Sequence, residues 1–329
     1  MKDQTRMRCE QLIENRNRLQ SVYSWDSGLL HLACAGIYTA KNMLADESIL
    51  KECKSMIKQK TGFFSNFRGS AESPVAAMLA VSGDPGQTLE KGLQVYQRLR
   101  DDFWSSSYLP LTAMIIAQMA EPSRYAELAS RTRTIYLRMK KEHPFLTSEE
   151  DNALCAIMAL SAKTDDELIL GAEQCYQLLK PNFFSSNAVQ SLSHVLAICD
   201  GPADTKCEKV MELFIKMKMA GRKYGTDYEL PTLGILAMTN ENADEILSEV
   251  FEIDDWLSHQ KGFGFFSSIS RQQRLMYAGI LAQNRDQNEN VLQTAAINGT
   301  ISMIIAQEAA MCAAIMASSA AAASASSSE

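Results

Sequence analysis

The chain has no cysteine pair of the CxxC kind, no glycine-rich phosphate loop, no nucleophile elbow and no HExxH. Each absence removes a class of local chemistry that short motifs announce. Eight cysteines stand at positions 9, 34, 53, 155, 175, 199, 207 and 312. Most sit in apolar helical stretches such as Ala153-Leu154-Cys155-Ala156-Ile157, so they read as buried thiols of a reducing compartment. Basic charge is also lacking: the net charge is −7 and the pI is near 5.3. A broad nucleic-acid surface needs a cationic face, so no nucleic-acid partner is expected. Met1-Lys2-Asp3-Gln4-Thr5-Arg6 is charged and carries no apolar h-region. The expected localisation is cytoplasmic.

Only four histidines are present: His31, His143, His194 and His259. His143 and His259 read as helix-end residues. His31 with Cys34, and His194 with Cys155, are the pairs from which a zinc site would be built if the chain closed into a ring. No local ligand spacing supports them, so buried thiols and hydrogen-bonded core histidines are expected, with no metal and no cofactor. The acidic pairs Asp101-Asp102 and Asp254-Asp255 lack the third carboxylate of a diphosphate-magnesium motif. Ser105 and Ser258 stand in its place, and both pairs read as solvated helix ends or caps.

What is there is a repeat. Asp102-Phe103-Trp104-Ser105-Ser106-Ser107-Tyr108-Leu109-Pro110 returns as Gly62-Phe63-Phe64-Ser65 before Pro74, as Asn182-Phe183-Phe184-Ser185-Ser186 and as Gly264-Phe265-Phe266-Ser267-Ser268. One aromatic per unit, at positions 25, 64, 104, 145, 184, 224 and 266, gives a period of about forty residues, the signature of stacked helix pairs. The predicted fold is all-α: an α-α superhelix of about seven tandem helix pairs, either an open solenoid or a closed α/α toroid. Residues 1–24 form an N-terminal capping helix and 25–317 a single array. Residues 318–329 are a disordered Ala/Ser-rich tail. The stretch 291–317 reads as a long helix against the last unit, and Gln307-Glu308 in its middle argue against a membrane span.

The first helix of each unit is short and rich in small apolar residues, as in Pro74–Ala80, Pro110–Ile116 and Pro231–Ala237. Such helices are buried on most sides, and Ala77, Ala113 and Gly234 permit close approach. The second helices are amphipathic. Asp26 or Ser27, Thr164 with Glu167, and Asn242 with Glu245 read as N-terminal caps. Pro85, Pro122 and Pro202 read as first-turn prolines. Cations such as Arg98, Arg100, Lys140, Lys141, Lys180, Lys216 and Lys218 mark helix ends, where they complement the dipole.

Several of these segments resemble a known family. They are Thr61-Gly62-Phe63-Phe64-Ser65-Asn66-Phe67-Arg68-Gly69, Ser107-Tyr108-Leu109-Pro110-Leu111, Leu146-Thr147-Ser148-Glu149-Glu150-Asp151, Gln260-Lys261-Gly262-Phe263-Gly264-Phe265-Phe266-Ser267 and the tail after Ile305-Ala306-Gln307. Together they are similar to the bacterial domain-of-unknown-function family number four thousand and three, over nearly the whole chain. The resemblance implies a helical protein of about this length and brings neither an activity nor site residues.

For function, the expectation is a binding or scaffold protein using a concave face for a peptide or protein partner. The alternative is an enzyme with an α/α-toroid pocket at the Phe-Ser-Ser rim. The candidate binding residues are Trp104, Ser105, Phe184, Ser185, Phe266 and Ser267. The competing structural reading makes Trp104, Phe184 and Phe266 wedges between units, with the serines as helix caps.

Overall fold

The computed structural model describes residues 1–239, 241–264, 267 and 269–283. The expectations for Phe266, for the helix over 291–317 and for the tail from 318 onward lie outside these residues. Among the described residues there are fourteen α-helices and no strand. They pack as consecutive pairs. The pairs are α1 (Asp3–Val22) with α2 (Gly28–Ala40), α3 (Glu47–Lys60) with α4 (Glu72–Ala80), α5 (Pro85–Asp102) with α6 (Leu109–Met119), and α7 (Tyr125–Glu142) with α8 (Asn152–Leu160). Next come α9 (Asp165–Leu179) with α10 (Ser186–Ile198), α11 (Ala203–Met219) with α12 (Leu230–Ala237), and α13 (Ala243–Ser258) with α14 (Arg271–Ala282).

The two sets of helices differ because their sequences do. The odd-numbered helices bury one face only: in α5 this is Leu89, Gly92, Val95, Tyr96 and Leu99, at helical spacing. Most even-numbered helices bury nearly every position; α6 buries Leu109 through Ala117 and α12 buries Leu230 through Ala237. Each even-numbered helix touches the next even one along the chain, and each odd-numbered helix the next odd one. Gly234 shows why small residues stand there: a Cβ added to it would lie 2.5 Å from Leu192 Cδ1 on α10.

The caps largely follow the sequence. Ser27 accepts from Leu30 N, Thr164 and Glu167 form a reciprocal capping box, and Pro85 opens α5 behind Asp84. Asn242 caps α13 through Asp244 N, and Pro202 sits one residue before α11 instead of inside its first turn. No helix among the described residues is long and apolar enough to cross a membrane.

The first helix also meets the last two among the described residues. α1 packs on α13 and α14 as well as on α2 and α3. Thr5 Oγ1 donates to Glu249 Oε1 at 2.6 Å, the Met1 ammonium lies 2.5 Å from Glu252, and Arg16 donates to the Lys261 carbonyl at 2.8 Å. The ends of α1 and α13 therefore run side by side in the same direction.

Candidate functional site

The loop after each odd-numbered helix places one ring or cation against the next odd-numbered helix. Lys54 on α3 lies over Tyr23 at 4.4 Å from the ring centre. Phe67 meets Tyr96 edge-on at 5.0 Å, and Phe103 meets Tyr136 at 5.3 Å. His143 stands against Tyr176 at 4.4 Å, and Phe183 against Phe214 at 5.0 Å. Arg222 covers Phe251 at 5.3 Å. The series ends on the first helix, with Arg16 of α1 over Phe263 at 5.1 Å. Each helix-borne partner lies in the last two turns of its helix or close to them. All seven loops consequently sit beside the C-terminal ends of the odd-numbered helices, at one end of the molecule. Edge-on aromatic pairs of this kind add about 0.5–1.5 kcal/mol beyond the apolar area they bury.

A second set of rings points the other way. Trp25 is 99 % exposed, Phe64 95 %, Trp104 84 %, Phe145 99 % and Phe184 100 %, one in each of the first five loops. Phe63 and Met219, the last residue of α11, are also largely exposed. The wedge role expected of Trp104 and Phe184 is therefore wrong; the wedges are the preceding residues, Phe103 and Phe183, which are buried. The physical reason is local. Phe103 and Phe183 are extended, with φ/ψ of −114°/147° and −133°/143°. Consecutive side chains on extended backbone point to opposite sides, so burying one ring drives its neighbour outward. Tyr224, counted as the sixth unit's ring, is buried and bonds Thr232 at 2.5 Å.

The serines and asparagines between the rings tie the loops together. Asn66 Nδ2 donates to Ser105 Oγ at 2.7 Å, and Ser185 Oγ to Asp227 at 3.2 Å. Asn187 donates to Glu150 at 2.7 Å, and Gln190 to Thr147 at 2.7 Å. Ser185 also caps α10 by accepting from Ala188 N, while Ser267 donates to the Ile269 carbonyl at 2.8 Å. Trp104, Ser105, Phe184, Ser185 and Ser267 thus share one end of the molecule without converging on a single pocket.

The buried polar groups belong mainly to the scaffold. Asp254 is buried within α13 and accepts from both Arg222 and Arg274, so this acidic pair is not a solvated helix end; only Asp255 is exposed. A cavity of about 750 Å³ lies beside this network, lined by Lys223, Ser258, Ser270 and Arg271 among others. His31 bonds the Tyr23 carbonyl at 2.7 Å, and Cys155 Sγ faces Met139 Sδ at 3.7 Å. His194 and Asp151, both buried, approach to 4.0 Å. Burial pushes the Asp151 carboxyl up to about 7 and the His194 imidazole down to about 3. Cys207 Sγ on α11 reaches the Cys175 carbonyl of neighbouring α9 at 3.9 Å, a contact that no local spacing reveals. Among the described residues no group of three or more His, Cys, Asp or Glu is arranged to hold a metal ion.

Residues 15–310 match the family described as "Protein of unknown function (DUF4003)". A relative in Bacillus subtilis (strain 168), "Uncharacterized protein YeaA", is 25 % identical over 308 residues, covering 92 % of this chain and 91 % of that protein. No solved structure matches the chain at a significant level.

Proposed function

The chain belongs to the DUF4003 family, and on that premise we propose that it is a closed ring of seven helix pairs acting as a binding protein, with its aromatic rim as the contact surface. The closure is supported by the run of loop-to-helix contacts, whose seventh member joins Phe263 to Arg16 of α1. In a ring so closed, α2, α4, α6, α8, α10, α12 and α14 line the axis. These helices leave few exposed positions, so a concave face offers a partner little surface. The rim is different. Single exposed rings are ordinary on a protein surface, whereas a series of them gathered on one face marks a contact surface. The observation that carries this reading is the recurrence of a nearly fully exposed aromatic in five successive loops.

The enzyme alternative would use the cavity beside Asp254. That carboxylate is already engaged by two guanidinium groups, which occupy the oxygens that would have to reach a substrate. The rim reading is tested with a photo-crosslinking residue at position 184, in the cells that make the protein. The control is position 166, an exposed site at the opposite end of the molecule. Adducts at 184 and not at 166 support the rim. Equal capture, or none at 184, refutes it.

A further inference from the structure

We propose that the aromatic rim docks on an anionic bilayer surface. The proposal rests on the rim being the contact surface and names its partner. Two independent features point to a bilayer. The first is the form of the apolar groups. Trp25, Trp104, Phe145 and Phe184 stand singly and Phe64 is paired edge-on with the exposed Phe63, each on a separate loop. A protein partner must offer a pocket at each ring's position. A bilayer receives protruding rings wherever they fall, and Trp and Phe are among the side chains that occupy its interface.

The second feature is charge polarity. The odd-numbered helices run in one direction, so their C-terminal ends share the rim. Lys58 and Lys60 end α3, Arg100 ends α5, Lys140 and Lys141 end α7, and Lys218 ends α11; Lys60 is paired with Glu90, and Lys216 turns from the rim to Glu212 and Asp244. Lys180, Lys223 and Lys261 add to this charge from the loops, while Asp101, Asp102, Glu142, Glu149, Glu150, Asp227 and Asp255 stand among them and offset much of it. The first turns, at the opposite end, are acidic: Glu47, Glu127, Asp165, Asp166, Glu167, Asp204, Asp244 and Glu245. The pattern complements each helix dipole, and seven parallel helices add it into a molecular polarity. A chain with net charge −7 therefore turns its more cationic end, which is also its aromatic end, towards an anionic surface. Rings at the interface with lysines and arginines around them are the two signals that stable peripheral binding needs.

The test uses the full chain with vesicles of mixed phosphatidylglycerol and phosphatidylcholine, and with vesicles of phosphatidylcholine alone. The chain should sediment with the anionic vesicles, and at least about tenfold more weakly with the neutral ones. Two of the three tryptophans, Trp25 and Trp104, are exposed, so emission should shift to the blue on binding. Trp104→Ser with Phe184→Ser removes two exposed rings and should weaken vesicle binding at least about tenfold while leaving the melt unchanged. Absence of binding to anionic vesicles overturns the proposal, as does binding that the double variant retains. The crosslinker at 184 separates the two levels. Capture of a protein there, with no vesicle binding, overturns the bilayer and leaves the rim standing. No capture and no vesicle binding overturns both.

Discussion

Phe183 and Phe184 are adjacent, chemically identical and predicted to behave oppositely. Phe183 is 5 % exposed and packs edge-on against Phe214 of α11, with ring centres 5.0 Å apart. Phe183→Ala removes a buried ring between two units and leaves a cavity that rigid helices on both sides cannot fill. The expected cost is about 3–5 kcal/mol. Phe184 is 100 % exposed, so Phe184→Ala should stay within about 0.5 kcal/mol of the parent. Against a total of about 5–15 kcal/mol, the first change moves a urea midpoint far and the second leaves it in place. Equilibrium urea unfolding, followed by far-UV circular dichroism, reads both variants under one set of conditions. The slope must be compared as well, because a weakened junction in an array can split one transition into two. Similar losses from the two variants, or a larger loss from Phe184→Ala, would refute the assignment of inward and outward rings.

Two further outcomes follow from packing and protonation. Gly234→Ala gains helix propensity of about 1 kcal/mol but sets a Cβ 2.5 Å from Leu192 Cδ1, an overpacking worth about 1–3 kcal/mol. A net loss of about 1 kcal/mol in urea unfolding is expected, and a gain would show that α10 and α12 are not in close contact. The second concerns Asp151, raised from 3.8 to about 7, and His194, lowered from 6.5 to about 3. Asp151 alone makes stability fall as pH rises from 3.8 through 7, because the native state holds the extra proton. His194 alone makes stability fall as pH drops from 6.5 towards 3, because the unfolded state then holds it. Between 3.8 and 6.5 each state carries one proton on the pair, and the slopes cancel. Asp151→Asn should uncover the histidine's slope, up to about 1.4 kcal/mol per pH unit relative to the parent. A variant whose pH profile parallels the parent's would contradict this.

Much of the helical plan is legible in the residues. The forty-residue period, the small apolar helices, the prolines in their first turns and the Thr164–Glu167 box are local signals, and local rules read them. What escaped is decided elsewhere. Nothing distinguishes Phe183 from Phe184 by type; one extended residue sets which faces inward. The signal that marks the wedges lies in their partners. Tyr96, Tyr136, Tyr176, Phe214 and Phe251 recur at nearly the same period on the odd-numbered helices. Asp254 looks like a surface acid until Arg222 and Arg274, 32 and 20 residues away, are brought onto it. The Thr5–Glu249 bond spans 244 residues, and no pattern in the chain announces it.

Ring closure carries the account, because only a ring sets seven loops on one continuous rim. Its most direct measurement is a pulsed electron-spin distance between labels at Arg6 on α1 and Glu252 on α13, both exposed. Neighbouring helix axes lie about 8–10 Å apart, so a closed ring predicts a narrow distribution at about 10–20 Å. In an open array the same two helices are six steps apart, and the distance would be about 50–60 Å. The short distance is what closure predicts; the long one would contradict it and disperse the rim.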